Sequence, residues 1–517
     1  MAYIEDLPDE LLIMIWNKLN NLDVFYSFIG VNKRFDKLIR DINYTRSIQL
    51  IDKDSNHKYC SLSDPLLNKL CSYFLPQIHE NIECLTLEPY SMERILCAAQ
   101  YPHLYKLILV NFGHQSTRHY FIDQSPFLNL FKQNITHLNV SIDDSKLKLL
   151  LVNDNENLYA FISSIFTSLI DFTFTCHGFW RRYAHLTIDN SCQTNSFLQN
   201  VVNLCIDVDT LDDCLRLLDG RLIYLRKLIV NIYKITSATF DIDNKTLLNI
   251  RCFSLTSSKS TSEYDNSILP LVHRMIYLEK LTLCLSVHRI STFIDGFHFK
   301  NEIFRHLPQL LTFDFEITTF VESIEQTNYE SENTFIDTRY NQAIFYIDCD
   351  PYGGARSHLF SLPYTINETL HLSSNFPGAS LSNVRSLTLI DMHYSFEHQF
   401  FIKIAQSFPY LTDLCICNQE PQQYKQLNQS SIIEFPYLNN LTFILSHIDY
   451  PEHFLVDKNI ILPHLIYLVI SYEHLKIVTE NFTRDTTRRN CAQLNCICVN
   501  ESIVHSESFY QYFPSLK

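Results

Sequence analysis

The chain has 517 residues, with 41 Lys and Arg against 56 Asp and Glu, a formal net charge of −15 and a pI near 5.7. Nucleic-acid phosphates need basic patches, and this acidic chain has no long basic run, so nucleic acid is not an expected partner. It is 46% hydrophobic and 19% charged, which places it among globular chains, but it holds only 8 Gly. Loops that cradle phosphate need glycine for close backbone approach. The Walker loop, GxGxxG, GxSxG and HExxH are all missing, which excludes the common glycine-dependent enzyme classes.

The start, MAYIEDLPDE, is acidic and unlike a signal peptide. The apolar run around Leu11 to Trp16 is too short to span a bilayer. The 16 Cys are scattered, as reduced thiols in an intracellular protein would be. The expected location is cytoplasmic and/or nuclear, with no membrane association.

The first element is a helix opening at Leu7-Pro8, with Pro8 in its first turn and Asp6 as a cap. Asp9 and Glu10 suit the positive end of the dipole. Leu11, Leu12, Ile15 and Leu19 recur at helical spacing and predict one continuous apolar face. Asn20-Asn21 breaks the run. Asp23 starts a second short helix carrying Phe25, Phe28 and Ile29, which Gly30 ends. Val31 leads into a third, with Phe35, Leu38, Ile39 and Ile42 as its buried stripe. Three helices in so short a stretch cannot bury all that apolar surface alone, so part of it should meet a partner or the rest of the chain.

The pattern Leu7-Pro8-x-Glu10-Leu11, then Ile15, Leu19, Asp23 and Val31-x-Lys33-Arg34-Phe35, resembles an F-box. It departs from the family at Asn32, where Cys is frequent, and at Phe35, where Trp is frequent. The resemblance implies a three-helix F-box over 1–45 that binds a Skp-type adaptor. Leu7, Pro8, Leu11, Ile15, Leu19, Phe28 and Val31 match positions that pack on the adaptor or hold the trihelical shape.

Residues 46–75 are mixed and polar and read as a connecting segment. From about residue 76 a repeat begins: apolar-x-x-apolar-x-apolar, often after Phe-Pro, Leu-Pro or Tyr-Pro, as in PHLYKLILV, PYLTDLCIC and PYLNNLTFI. The middle apolar residue gives a series of markers: Leu85, Leu107, Leu138, Phe172, Leu204, Leu228, Phe253, Leu281, Phe313, Leu370, Leu387, Leu414, Leu441, Leu468 and Ile497. The spacing settles at about 27 residues from Leu387 to Leu468, the period of leucine-rich repeats. Apolar alternation predicts a short strand. Leu211, Leu215 and Leu218, with Asp209 or Thr210 as cap and Gly220 as stop, predict a returning helix; Phe400, Ile404 and Phe408 predict another.

Strands and helices at such a period stack into a solenoid with a parallel sheet on the concave side. Residues 76–517 therefore resemble a divergent leucine-rich-repeat domain, an α/β solenoid. The family's usual turn Asn or Cys is replaced by Tyr90, Phe112, Ser286, Met392, Gln419 and Glu473. The rhythm breaks over an irregular insertion at about 318–365. There an acidic stretch from Glu322 reads as a mobile loop, and Ala343 to Cys349 with Ser357 to Leu362 reads as a hairpin turning at Pro351-Tyr352-Gly353-Gly354.

Alternation turns Cys415 and Cys417 to the open side of the sheet, with Cys496 and Cys498 three repeats on, about 14 Å away and too far for one metal. Asp207, Asp314 and Glu316, with Asp413, are expected to form an acidic recognition surface there rather than an acid–base pair. Phe179-Trp180-Arg181-Arg182 combines aromatics and guanidinium groups, as interface hot spots do. The 21 His have no metal-ligand spacing. Taken with the resemblance, these features imply a non-catalytic substrate receptor of a Skp–cullin–F-box ubiquitin ligase, without cofactor or metal. The adaptor would sit on the F-box and an unidentified target on the repeats. The alternative is a repeat scaffold with no ligase role.

Overall fold

The computed structural model describes residues 4–19, 21–53, 59–111, 132–143, 165–177, 198–239, 246–257, 259–322, 342–349, 354–366, 369–424, 432–499 and 507–516. The chain is α/β and divides into two compact units, 1–285 with 303–311, and 286–302 with 312–517. Among the described residues no helix is long and apolar enough to cross a membrane.

The first unit opens with three helices, α1 Asp9–Trp16, α2 Asn21–Phe28 and α3 Lys33–Ile39. Among the described residues nine strands of one parallel run follow: β1 Ser47–Gln49, β2 Cys84–Leu87, β3 Lys106–Leu109, β4 His137–Asp143, β5 Asp171–His177, β6 Asn203–Thr210, β7 Lys227–Lys234, β8 Cys252–Ser257 and β9 Lys280–Arg289. Each pairs in parallel with the next in chain order. The span 46–75 is thus more than a connection. It supplies the first strand, and its helix Asp64–Lys69 continues through a wider turn to bring Phe74 against Phe25, ring centroids 4.2 Å apart. The three helices have too little core of their own and complete it with this segment.

The markers align one to one. Leu85, Leu107, Leu138, Phe172, Leu204, Leu228, Phe253 and Leu281 are register partners on successive strands, and all are buried. A second apolar pair precedes several of the strands, six and three residues before the marker: Tyr101 and Leu104, Leu222 and Leu225, Met275 and Leu278, all buried. The two residues of each pair close a turn, with Leu104 N–H donating to the Tyr101 carbonyl at 3.3 Å. Pro102 occupies the position of that turn where its fixed φ fits. The carbonyl two residues before a marker accepts two N–H groups of the next repeat. Tyr105 O accepts from Thr136 and His137 at 3.0 Å each, and Arg226 O from Arg251 and Cys252 at 2.8 and 3.0 Å.

The second unit holds an antiparallel set and a parallel set. Strands β10 Thr312–Val321, β11 Ala343–Cys349 and β12 Ala355–Ser361 pair antiparallel in the order β10-β12-β11, which is the expected hairpin. Its turn residues 351–353 and the acidic stretch beyond Glu322 lie outside the described residues. Strands β13 Leu370–Leu372, β14 Ser386–Ile390, β15 Asp413–Cys417, β16 Asn440–Phe443, β17 Tyr467–Val469 and β18 Cys496–Cys498 then run parallel in chain order. Leu387, Leu414, Leu441 and Leu468 are register partners on adjacent strands and fully buried, as their 27-residue spacing predicts. The two-bond carbonyl recurs at Arg385, Thr412, Asn439 and Ile466.

The returning helices form where expected. Leu211–Leu217 starts at a Thr210–Asp213 capping box and stops before Gly220, whose φ of +100° a side chain would strain. His398–Ser407 buries Phe400, Phe401 and Ile404. The turns after the strands are bonded by residues one or two places before those the repeat family uses. Glu88 accepts from the N–H groups of Tyr90 and Ser91, and Asp391 from those of His393 and Tyr394. Asn418 donates to Tyr394 O and accepts from Glu420 N–H.

Candidate functional site

The three-helix start is built around a residue that the apolar spacing did not single out. Trp16 is fully buried, with Phe28, Phe35 and Tyr44 ringing it at centroid distances of 5.2, 5.6 and 6.1 Å. Leu12, Leu22, Val24, Phe25, Leu38 and Ile39 complete the packing. Burial pushes the Tyr44 phenol up to about 12. Asn32 caps α3 through Phe35 N–H at 2.8 Å, and Gly30 turns the chain at φ +85°.

Arg34 ties the entry of α1 to α3. Its guanidinium donates to the Glu5 carbonyl at 2.6 Å, to the Leu7 carbonyl, and to the Asp9 carboxylate at 2.7 Å. Pro8 is therefore the residue before the helix rather than its first turn, and Asp6 lies in the preceding single turn Ile4–Asp6 and makes no cap. The clamp accounts for this, because an arginine holding two carbonyls upstream fixes the chain before the helix begins.

Around that core an apolar surface is left open. Leu11, Met14, Ile15, Leu19 and Val31 are 44, 63, 41, 50 and 55% exposed. Pro8 is exposed as well, while Leu7 and Phe28 are half-buried. The continuous inward stripe expected of Leu11, Leu12, Ile15 and Leu19 is corrected here: only Leu12 of these turns inward, and Trp16 joins it. A helix as short as α1 has room for one inward stripe, and the large indole takes it. The other apolar residues form a second face that the described residues leave uncovered.

Asp207, Asp314 and Glu316 do not form the expected acidic surface: all three are buried. Asp207 accepts from Cys176 N–H at 2.8 Å, and Glu316 accepts from the Tyr364 hydroxyl. Unlike an ordinary edge of one-sided alternation, β10 is buried on both faces over Phe313 to Ile317. Asp413 is half-buried and accepts from Asn440 Nδ2 on the neighbouring strand. These carboxylates serve the ladder from within.

Cys415 and Cys417 do lie on the half-exposed side of β15, opposite buried Leu414 and Ile416. Burial, then the neighbouring Cys417, pushes the Cys415 thiol up to about 11, and burial raises Cys417. At neutral pH both stay protonated and are poor nucleophiles. Cys498 Sγ sits 3.0 Å from the Tyr467 hydroxyl and 4.0 Å from Cys496 Sγ. The run 179–182 lies outside the described residues.

The second unit also contains a polar cluster invisible to spacing. Asp348 receives the Ser373 hydroxyl at 2.8 Å, Arg356 Nη2 at 3.0 Å and stands 3.0 Å from His358 Nε2. The serine faces the carboxylate and not the imidazole, so no nucleophile is activated. Burial alone would raise the Asp348 carboxyl, but the hydrogen bond and charge of His358, with Ser373 and Arg356, hold it below its usual range. His358 is pushed down by burial. The arrangement stitches β11, β12 and the residue after β13 together.

No protein-family model matches this chain, and no curated protein does. The open apolar face of the N-terminal helices is the feature whose chemistry points outward.

Proposed function

We propose that this protein is the substrate-recognition subunit of a Skp–cullin–F-box type ubiquitin ligase. In this reading the N-terminal helices form an F-box that binds a Skp-type adaptor and, through it, cullin. The parallel strands and their returning segments form a leucine-rich-repeat-like solenoid whose concave side binds a target protein. The protein carries no catalytic residue, and its contribution is to hold the target near the ubiquitin-loaded enzyme.

One observation carries the reading. The helical core around Trp16 is complete without Leu11, Met14, Ile15, Leu19 and Val31, yet these remain exposed on the helices and turns of the segment that carries the Leu7-Pro8-x-Glu10-Leu11 pattern. Full exposure of a large aliphatic side chain costs about 1.5–3 kcal/mol relative to burial, and these half-exposed ones bear part of that. A partner that covers them recovers that energy, and an adaptor is the partner that the F-box resemblance names.

The test is capture of a Skp-type adaptor by the purified full chain. Wild type binds it, and Leu7→Ala with Pro8→Ala weakens binding by about 30- to 1000-fold, the equivalent of roughly 2–4 kcal/mol. Absence of adaptor binding by wild type removes the ligase role and leaves the scaffold alternative.

A further inference from the structure

An open cleft of about 340 Å³ lies past the carboxyl ends of β15, β16 and β17. That volume falls within the ~300–1,000 Å³ of ligand sites, and the carboxyl ends of parallel strands are where α/β folds place them. The lining comes from three successive repeats. Gln419 follows β15, Leu445, Ser446, His447 and Ile448 follow β16, and His474 belongs to the helix Tyr472–Val478 after β17. All of it lies in the second unit.

The backbone fixes the rim. His447 N–H donates to the Asn418 carbonyl at 2.8 Å and ties the second turn to the first. Leu445 takes a φ of +45° and is 69% exposed. Glycine or asparagine adopts that conformation more readily, so the turn alone does not call for leucine. Strain of this kind collects where a ligand is held.

The polar lining is made of acceptors. The carboxylate of buried Asp449 stands 3.2 Å from His447 Nδ1, and the Asp449 N–H stands 3.3 Å from the same atom. His447 is thereby engaged at Nδ1, which leaves Nε2 for a ligand. Burial, then His447, pushes the His474 imidazole below its usual range, so at neutral pH it offers a lone pair. Among the described residues no protein group bonds His447 Nε2, the His474 ring, the Gln419 amide or the Ser446 hydroxyl. No Lys or Arg lines the cleft, and Lys476 of the same helix is held over the Tyr472 ring at 5.9 Å. Carboxylates do stand close, Asp449 against His447 and exposed Glu473 next to His474.

We propose that this cleft takes an arginine side chain of the target protein. The inference rests on the receptor reading above and names the group recognised. A guanidinium carries five N–H donors in a planar fork, which suits acceptors drawn from three repeats. Its aliphatic stem packs on Leu445 and Ile448, and the nearby carboxylates attract its charge. A carboxylate ligand would meet Asp449 and Glu473 as like charges, with no lysine or arginine in the lining to offset them.

The experiment uses the full chain and a fluorescent peptide of alternating Arg and Ser. Peptides with citrulline, Lys or Glu in place of Arg are its counterparts. The Arg peptide binds. The citrulline peptide, which keeps the shape and loses the charge, does not, and the Lys peptide binds about threefold more weakly. Gln419→Lys puts a cation in the cleft and weakens the Arg peptide by about tenfold. Gln406→Lys adds the same charge at an exposed position of the helix His398–Ser407 and leaves binding within about twofold of wild type. Leu445→Gly removes the strain and the apolar wall together. It weakens the Arg peptide by about threefold while the melting temperature holds or rises. If Leu445→Gly melts earlier, Leu445→Asn, which also tolerates the conformation, decides. No binding of the Arg peptide to wild type, equal binding of the citrulline or Lys peptide, or tighter binding of the Glu peptide overturns the proposal. Equal losses from Gln419→Lys and Gln406→Lys, or wild-type binding by the deciding Leu445 variant, also overturn it. Adaptor capture is measured on the same samples. Its absence in wild type that still binds the Arg peptide sinks the receptor reading alone, while its retention in Gln419→Lys places that defect in the cleft.

Discussion

The N-terminal helices and the repeat strands use the same residues to opposite ends. On β14 to β17, Leu387, Leu414, Leu441 and Leu468 repeat along the sheet and every one is buried. On α1 and just beyond it, Leu11, Ile15 and Leu19 repeat at helical spacing and every one is exposed. The difference lies in what each element has for neighbours. A strand in a repeat is flanked by copies of itself, so its inward face is covered wherever the pattern continues. A short helix has its whole circumference to dispose of, and a single bulky residue decides which arc goes inward. Trp16 decides it here, and the remaining apolar arc is left exposed.

Deleting the residue that organises each region should have the largest effect and tests that account directly. Trp16→Ala removes the ring that Phe28, Phe35 and Tyr44 surround, and should cost about 3–5 kcal/mol. Leu441→Ala in the second unit should cost about 2–5 kcal/mol for the same reason. Hydrogen exchange resolved by region should place the first loss in α1 to α3 and the second in β15 to β17. If Trp16→Ala leaves the helices as protected as before, the indole is not their centre. The Trp16 ring nitrogen has no hydrogen-bond partner among the described residues, so Trp16→Phe should be much milder than Trp16→Ala.

Acid separates the regions next. The second unit buries His453, which burial and then His398 push down to about 3, and His358, also pushed down by burial. Unfolded histidine titrates near 6.5, so between that pH and the folded value the unfolded state holds more protons. Stability conferred by these neutral imidazoles is complete above pH 6.5 and is lost as pH falls toward 3. For His453 the loss is on the order of 5 kcal/mol at most. Asp348, held low, adds loss in the same direction below the ordinary carboxylate range. Helices α1 to α3 contain no histidine. Exchange protection of β14 to β17 should therefore fall between pH 6.5 and 4 while that of α1 to α3 holds. His453→Gln should flatten the dependence, and an unchanged slope would show that another group sets it.

Much of this architecture was legible because repetition carries its own check. A marker misread in one strand would have broken the register of the next, and none did from Leu85 to Leu281 or from Leu370 to Leu468. Thr210, Gly220 and the 343–361 hairpin were legible for local reasons, since caps and turns depend on a few adjacent residues. The acidic surface was not. Alternation put Asp207 and Glu316 on the outer side of their strands, but it cannot say whether something covers that side. The Asp348 cluster was hidden because its members come from three separate segments.

The proposed adaptor binding gives a way to divide the apolar residues at the start of the chain by function. Leu11→Ala with Ile15→Ala should weaken adaptor binding by about 10- to 100-fold, less than the paired change at Leu7 and Pro8 if those hold the centre of the contact. Titration calorimetry with the purified adaptor measures both. A larger loss from Leu11 and Ile15 would move the centre of the interface along the helix and leave the ligase reading in place.

The smallest expected effect is the most discriminating. Ile15→Gln alters a side chain that is 41% exposed and lies outside the ring of aromatics on Trp16. Glutamine has the higher helix propensity, which offsets the loss of a partly buried branched chain. The melting temperature and exchange protection should thus stay within about 0.5 kcal/mol of wild type, as surface changes usually do. Leu12→Gln, three residues earlier on the inward stripe, buries an amide in the core and should cost several times more. Measured side by side, the pair asks whether α1 has two apolar faces or one. Equal destabilisation by both would mean that Ile15 is covered by this chain itself, and the open face on which the proposed adaptor binding rests would be gone.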